Sequence, residues 1–373
     1  MTTRLTKLTA LIVPLLAAAP CLHAQTAPAA TPPAPPPPPA ATASAPITFN
    51  GWATASYQYT QPKPGSAHDS FNVDSALLGA AITPTKDVTA NVSLFFHPGA
   101  EGGVSPSGNQ VTILDAYVTY DAGGGLTIKG GKYLSPLGYE SFFSINDNMI
   151  TAANQALLGP IPGYHEGIEF DYAASKTLSG GLGLVDSLYQ KPGYAATEGD
   201  GEFKHTGGVE GYVQYTGVTD LTIWAGIGYS SKVKPGMDTS GVIDPAGSTV
   251  AVYDVWASYA IDKTQNIAVE EIYKDGGVGN KGSNWLVYYQ YLFSDKASAW
   301  FGVSGEQVSS YSVSDGEGGF VSASGPKYIK YSFSPTYALT ANVSLRAQYS
   351  YTKYSNFSVN NANFFGVEAL FKF

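Results

Sequence analysis

The feature that most limits how this chain can fold is an alternation of apolar and polar residues with a period of two, which recurs from residue 47 onward. In residues 221–229, for example, Leu221, Ile223 and Tyr229 fall on one face. Successive side chains of a β-strand point to opposite faces, so each such run predicts a strand with one apolar and one polar surface. We predict sixteen strands, at 47–59, 71–83, 88–96, 111–120, 126–134, 164–173, 180–189, 205–216, 220–230, 249–260, 266–274, 284–293, 297–307, 327–334, 341–353 and 361–373.

The connections between these strands alternate between short and long. The short ones are 84–87, 121–125, 174–179, 217–219, 261–265, 294–296 and 335–340. The long ones include 97–110, 135–163, 190–204, 231–248 and 308–326. Outer-membrane barrels have short periplasmic turns and long outer loops, whereas a β-sandwich has no reason to sort its loops in this way. The spacing therefore predicts an all-β fold, a transmembrane antiparallel β-barrel over residues 47–373 with its short turns on the periplasmic side.

The composition agrees with a membrane barrel. Only 13% of the 373 residues are charged and the formal net charge is −9, whereas soluble domains carry about 25% charged residues. The sequence has no run of about 18 apolar residues, the length that indicates a transmembrane helix. Composition alone leaves a secreted all-β protein as the alternative. An acidic chain with so few basic residues is a poor nucleic-acid binder.

The N-terminal 46 residues differ from the rest. Residues 1–24 have the form of a signal peptide, with Arg4 and Lys7 before an apolar stretch, so we expect export to the outer membrane of a Gram-negative-type envelope. Removal of this segment would take the formal charge from −9 to −11 and would remove Cys21, the chain's one cysteine. Lipidation at Cys21 is the alternative, and the preceding Pro20 disfavours it. Residues 25–46 are rich in Ala and Pro and predict a stiff periplasmic linker.

The longest interruption of the strand pattern is residues 135–163. A connection of this length inside a compact domain is uncommon and is usually functional. Residues 148–158 within it have a composition that favours a helix, ended by Pro160 and Pro162. In a soluble sheet the segment would be an active-site lid. In a membrane barrel we expect it to fold inward and narrow the lumen.

The residues on both sides of this interruption resemble those of a known family. They read LDAYVTY at 114–120, GLTIKGGKY at 125–133, LSPLGYE at 134–140 and GYHEGIE at 163–169. This stretch is similar to the OmpL-like β-barrel porin-2 family of outer-membrane channels. The resemblance implies a barrel and a pore, and it implies no particular substrate.

Several charged residues are candidates for lining a pore constriction. His165, Glu169 and Asp171 alternate with apolar residues directly after the long segment, which itself carries Glu140 and Asp147. Two roles stay open for this group, namely anchoring the segment to the barrel wall and contact with permeating ions. The full set of candidate lining residues is Glu140, Asp147, His165, Glu169, Asp171, Lys330 and Arg346.

Four tryptophans, at positions 52, 224, 256 and 300, fall on the predicted inward face. Aromatic rings in a lumen can form a stacking track for sugars. The alternatives are that they lie in the interfacial belt or pack beneath the long segment.

No catalytic motif is present, so we expect no enzyme activity, catalytic residue or cofactor. No histidine of the mature chain has metal-ligand spacing to another, and the acidic Gly-rich stretches 199–202 and 315–319 lack the ligand spacing of a calcium loop, so no metal site is expected.

The resulting prediction is an outer-membrane porin for passive diffusion of small hydrophilic solutes and ions, weakly cation-selective, in contact with membrane lipid. By analogy with other sixteen-stranded porins, a homotrimer is the expected assembly. A substrate-selective sugar channel is the first alternative, and an outer-membrane enzyme or adhesin is the second.

Overall fold

A computed structural model of the chain describes residues 47–97, 110–140, 149–153, 157–189, 207–233, 248–276, 281–314 and 320–373. The predicted signal peptide and linker lie outside the described residues. The strands are β1 (Ile47–Lys63), β2 (His68–Thr85), β3 (Val88–His97), β4 (Gln110–Gly123), β5 (Leu126–Leu134), β6 (Tyr164–Ala173), β7 (Leu178–Val185), β8 (Gly208–Val218), β9 (Leu221–Val233), β10 (Ser248–Ala260), β11 (Gln265–Asp275), β12 (Lys281–Leu292), β13 (Ala297–Val308), β14 (Ser310–Ser314), β15 (Phe320–Ser324), β16 (Lys327–Ala338), β17 (Val343–Ser355) and β18 (Asn361–Lys372).

Sixteen of these strands form one closed antiparallel barrel. Each strand pairs with its neighbours in chain order, β13 pairs with β16, and β18 pairs with β1 to close the sheet. Because the sheet is closed, no strand edge is left without hydrogen-bond partners, as a membrane-spanning sheet requires. The predicted barrel with sixteen strands is therefore confirmed.

The barrel closes where Phe373 pairs with Gly51 of β1, and the backbones approach each other closely there. The N–H of Phe373 donates to the carbonyl of Gly51 at 3.0 Å, and the N–H of Gly51 donates to the carbonyl of Phe373 at 3.1 Å. A Cβ atom at Gly51 would lie 2.3 Å from the carbonyl oxygen of Leu77 and 2.6 Å from the Phe373 ring. Glycine is required here because no larger residue fits between the backbones of β1 and β2 and this ring.

Alternate residues of each strand face opposite sides of the barrel wall. On β17, Leu345 and Tyr349 are exposed, whereas Arg346 and Gln348 are buried. The exposed set contains many apolar and aromatic residues, and the buried set includes charged residues such as Glu210 and Glu306. This is the pattern of a transmembrane barrel, with apolar side chains outward and polar side chains inward.

The connections at one end of the barrel are all short, at 86–87, 124–125, 174–177, 219–220, 261–264, 293–296 and 339–342. At the other end they are 64–67, 98–109, 135–163, 186–207, 234–247, 276–280, 309–326 and 356–360. The predicted sorting of short turns to one end is therefore present, although the second end also has three brief connections.

Several strand bounds differ from the predicted ones by up to four residues. β1 and β2 run on to pair Thr60 with His68, so their connection is shorter than predicted. β16 extends to Ala338 and pairs Pro335 with Ala299, so the predicted connection 335–340 begins four residues later. The connection 309–326 contains the two-stranded sheet of β14 and β15, where the sequence predicts a long connection without strands. Each is only five residues long, which is why the alternation there was not recognised.

No helix long and apolar enough to cross a membrane occurs among the residues that the structure describes.

Charge placed on the outward face should destabilise the barrel far more than charge placed on the inward face. Val213 lies near the middle of β8 and is 54% exposed on the outward side, and its neighbour Gln214 faces inward. Lysine on the lipid face near the bilayer midplane costs about 2–4 kcal/mol. We expect V213K to lower the free energy of unfolding in lipid vesicles by about that amount, measured by denaturant titration.

The matched control is Q214K, which introduces the same side chain one residue away and should have a much smaller effect. Equal destabilisation by V213K and Q214K would contradict the assignment of the two faces.

Candidate functional site

The first part of the segment 135–163 is held by carboxylates from the inward face of the barrel. The N–H of Gly138 donates to Asp254 Oδ2 at 2.7 Å, and the N–H of Tyr139 donates to Glu270 Oε1 at 2.5 Å. Both carboxylates are almost completely buried. Hydrogen bonds from backbone N–H to carboxylate are charge-assisted and stronger than neutral ones, so these two contacts fix the path of the chain as it leaves β5.

The second part of the segment uses the same kind of contact. Glu306 on β13 accepts hydrogen bonds from the N–H groups of Leu157, at 3.0 Å, and Leu158. Glu140, which belongs to the segment itself, accepts from the N–H of Ala153 at 2.6 Å and from the hydroxyl of Tyr288 on β12. Buried carboxylates therefore stand in for the backbone carbonyls that a helix or sheet would supply.

The carbonyl groups of the segment are bonded by basic side chains. Lys330 Nζ donates to the carbonyl of Ala152 at 2.7 Å and to Thr151 Oγ1 at 2.6 Å. Arg346 Nη1 donates to the carbonyl of Met149 at 3.0 Å. Lys274 Nζ donates to the carbonyl of Leu158 at 2.8 Å. Several backbone donors of the segment thus meet acids, and several of its backbone acceptors meet bases.

These contacts explain why the described residues of the segment contain no helix, although the composition of residues 148–158 favours one. A helix needs each N–H to bond the carbonyl four residues earlier. Here the N–H of Thr151 donates to Gln348 Oε1 at 2.9 Å, and the following amides donate to the side chains described above. Side chains of the barrel wall therefore replace the helical hydrogen bonds.

Apolar side chains of the segment occupy space left by inward-facing glycines. Leu137 and Ile161 pack with Trp224, Val252 and Ile272, and Met149 packs with Leu286, Tyr288 and Trp300. A Cβ atom at Gly226 would lie 2.7 Å from Leu137 Cδ2, and one at Gly302 would lie 2.7 Å from Met149 Cε. Burial of these side chains adds hydrophobic stabilisation to the polar contacts.

Three of the four inward tryptophans, Trp224, Trp256 and Trp300, pack against the segment. The ring of Trp224 stacks between Tyr212, at 5.8 Å, and Trp256, at 5.9 Å. Trp224 and Trp300 are only 4% and 8% exposed. A sugar would need access to the ring faces, and the contacts of Leu137 and Met149 occupy that space. This arrangement favours packing beneath the segment over a stacking track.

The two ends of the segment are joined to each other and to the wall. The N–H of Ser135 donates to the carbonyl of Gly163 at 2.8 Å. The hydroxyl of Ser135 and the Nε2 atom of His165 both lie 2.8 Å from the carboxylate of Glu210 on β8. His165 and Glu210 are essentially inaccessible to solvent, so this group has the geometry of an anchor.

A second charged group lies on β5 and β6. Lys129 Nζ is 2.6 Å from Glu169 Oε1 and 3.8 Å from Asp171 Oδ2. Tyr212 donates its hydroxyl proton to Asp171 Oδ1 at 2.8 Å. The side chain of Glu169 is 4% exposed, but those of Lys129 and Asp171 are 23% and 26% exposed. Only Lys129 and Asp171 of this group are therefore accessible to ions in the lumen.

The connection after β7 also contacts the segment. Tyr189 is partly buried and donates its hydroxyl proton to the carbonyl of Pro160 at 2.6 Å, and desolvation raises the pKa of the Tyr189 phenol. Burial also raises the pKa of Asp186, against the opposing effect of hydrogen bonds from the N–H groups of Ser187 and Glu166. Tyr189 thus contacts the segment near its end, at Pro160, and Asp186 contacts β6 at Glu166, just after the segment.

The predicted lining residues therefore divide into three sets. Asp147 lies outside the described residues. Asp171 is partly exposed, and the remaining candidates are buried: Glu140, His165, Glu169, Lys330 and Arg346.

Sequence reasoning missed the anchors Asp254, Glu270, Lys274 and Glu306. The available signal was their spacing on the inward face, as in VEEIYK at 269–274, where Glu270 and Lys274 share one face. In the described part of the chain, no group of three or more His, Cys, Asp or Glu side chains could hold a metal ion.

A closed barrel with an apolar outer face, a polar inner face and a long segment bonded to that inner face defines an outer-membrane channel of the porin class. The chain belongs to the family described as "Putative beta-barrel porin-2, OmpL-like", which matches residues 46–373. No curated protein sequence matches the chain.

Solved structures of bacterial outer-membrane proteins share the fold. OmpF of Salmonella typhi, in a complex with daunomycin, is 16% identical with a TM-score of 0.62, covering 88% of this chain and 98% of that one. An anion-selective porin from Comamonas acidovorans is 12% identical with a TM-score of 0.61, covering 88% and 100%. OmpT of Vibrio cholerae in its trimer form is 15% identical with a TM-score of 0.55, covering 88% and 99%. At these identities the likeness concerns the fold alone.

Removal of the Glu306 carboxylate should loosen the segment locally. In E306A the N–H groups of Leu157 and Leu158 lose their acceptor, and a buried donor without a partner costs about 1–3 kcal/mol. Each 1.4 kcal/mol is about a tenfold change in an equilibrium. We therefore expect amide hydrogen exchange in residues 157–163 to become about tenfold faster or more, measured by mass spectrometry of the protein in lipid.

The control is E166A, which removes an exposed glutamate on the outward side of β6. Exchange in residues 157–163 should not change in E166A. Equal exchange rates in E306A and the parent protein would contradict the anchoring role of Glu306.

Proposed function

We propose that the protein is a porin for passive diffusion of small hydrophilic solutes and ions, in which the segment 135–163 lies inside the lumen and narrows it. The observation that carries this proposal is the set of hydrogen bonds from both parts of the segment to inward side chains of β10, β11, β13, β16 and β17. Inward side chains of a closed barrel can be reached only from within, so a segment that bonds to several strands occupies lumen volume.

The predicted pore-lining residues take two roles in this proposal. Glu140, His165, Lys330 and Arg346 hold the segment in place through the contacts given above. Asp171 contacts permeating ions. Asp147 follows Glu140 in the segment and stays a candidate for ion contact.

Weak cation selectivity is the second part of the proposal. The chain carries a net charge of −9. Fields in a narrow aqueous path between low-dielectric walls are focused, so a small excess of acidic groups biases permeation. At physiological ionic strength the screening length is about 8 Å, so the bias depends on the path being narrow. The likeness to an anion-selective porin concerns the fold, and selectivity is set by the side chains.

The assembly and the export route are proposals of the same kind. The trimer form of the similar OmpT barrel supports a homotrimer. Residues 1–24 act as the signal peptide and residues 25–46 as a periplasmic linker, with the short turns of the barrel on the periplasmic side. The covered rings of Trp224 and Trp300 give no support for a sugar-selective channel.

Planar-bilayer recordings test the proposal. In a KCl gradient, the parent protein should give a reversal potential of cationic sign. Deletion of residues 149–158 should raise the single-channel conductance and reduce the reversal potential, because the segment no longer narrows the path. An equal deletion of residues 236–245 in another long connection is the control and should leave the conductance unchanged.

Anion preference in the parent would contradict the selectivity. Unchanged conductance in a folded deletion variant would place the segment outside the conducting path. Absence of any conductance in the parent would contradict the channel itself.

A further inference from the structure

Inward polar side chains of the barrel fall into two groups that differ in exposure. On β10 to β13 and β16 to β18 most of them are buried, including Asp254, Glu306, Lys330, Arg346 and Gln348, and those nearest the short turns, such as Ser258 and Gln290, are partly exposed. On β3 to β6 a set is partly exposed, beside the buried His165 and Glu169, and it consists of Asn91, Ser93, Asp115, Tyr117, Thr119, Lys129 and Asp171. The inner wall therefore has one covered side and one side accessible to solvent.

The segment 135–163 accounts for the covered side. Its hydrogen bonds reach β8, β10, β11, β12, β13, β16 and β17. Its Ile150 extends this contact to β18, because a Cβ atom at Gly366 would lie 3.1 Å from Ile150 Cδ1. The covered side thus spans the strands from β8 to β18, and the partly exposed polar residues lie on the strands opposite to it.

Two inward positions on or next to the accessible side carry no side chain. Gly131 on β5 and Gly181 on β7 both face inward and bring no side chain into the lumen. A Cβ atom at Gly181 would lie 2.6 Å from Asp171 Oδ1, so glycine there leaves room for the Asp171 carboxylate.

The accessible side, on β3 to β6, carries few charged side chains. Asp115 on β4 accepts a hydrogen bond from Ser93 at 2.9 Å and is partly exposed. Asp171 is partly exposed as well, and Lys129 lies 2.6 Å from the buried Glu169. Lys129 is also 3.8 Å from Asp171, and Lys132 interacts electrostatically with Asp115. Asp115, Glu169 and Asp171 together with Lys129 and Lys132 therefore carry an excess of one negative charge.

From this asymmetry we infer that the conducting path runs along the inner face of β3 to β6, and that Asp115 and Asp171 are the side chains that set its preference for cations. This inference rests on the proposed channel function and makes it specific. The acids of the covered side, Asp254 and Glu306, are positioning residues for the segment and do not meet permeating ions.

Single-cysteine variants separate the two sides. In a C21S background, which removes the chain's one cysteine, the variants S93C and T119C place a thiol on the accessible side, and S304C and S350C place one on the covered side. All four protein samples, refolded in lipid vesicles, would be treated with a small cationic methanethiosulfonate and labelling read by mass spectrometry. We expect complete modification of S93C and T119C and none of S304C and S350C.

Labelling does not depend on conductance, so it tests the accessible side even if the channel proposal fails. Equal labelling of both pairs, or labelling of S304C and S350C alone, would overturn the inference.

Charge neutralisation then tests the role of the two acids. D115N and D171N should each reduce the reversal potential in a KCl gradient, and the double variant should lose most of the cation preference. The control is D295N, which makes the same charge change at an exposed turn and should have no effect. A parent channel that is cation-selective but insensitive to D115N and D171N would overturn this assignment and leave the proposed function intact. A parent that does not conduct would overturn the proposed function, with the labelling contrast still deciding the accessible side.

Discussion

The interior of this barrel depends on how an irregular stretch of backbone obtains hydrogen-bond partners. The backbone N–H and carbonyl groups of the barrel strands hydrogen-bond to one another, so they are not available to the segment 135–163. Buried polar groups that lack partners are costly. The wall supplies charged side chains instead, with acids such as Glu306 facing N–H groups and bases such as Lys330 facing carbonyls. This complementarity requires a polar inner face, which the closed barrel with its apolar outer face provides.

The same interaction changes how the interior charges should be understood. Charged residues on the inward face of a porin are readily interpreted as contacts for ions. Here many of them, including Arg346 and Asp254, are buried against the backbone of the segment. They position the segment, so the proposed contacts with ions are left to the few charged groups that remain accessible, such as Asp171.

Much of the fold could be predicted from the sequence because alternation is a local property of each strand. Sixteen runs with period two gave sixteen barrel strands, and Leu345 and Arg346 fall on the faces that their pattern predicts. Contacts between the segment and the wall could not be predicted, because they join residues such as Thr151 and Gln348 that are 197 positions apart. Nothing in the local pattern around Gln348 distinguishes an anchor from a residue that lines water.

The most direct test of this account is the position of the segment relative to the wall. A photo-crosslinking benzophenone residue at position 150 replaces the side chain that lies against Gly366 on β18. After irradiation of the protein in lipid, mass spectrometry of the cross-linked peptides should locate the adduct on β18, near Phe364 and Gly366. Adducts on β3 to β5, or an absence of adducts within the barrel, would contradict the docking of the segment on which the account rests.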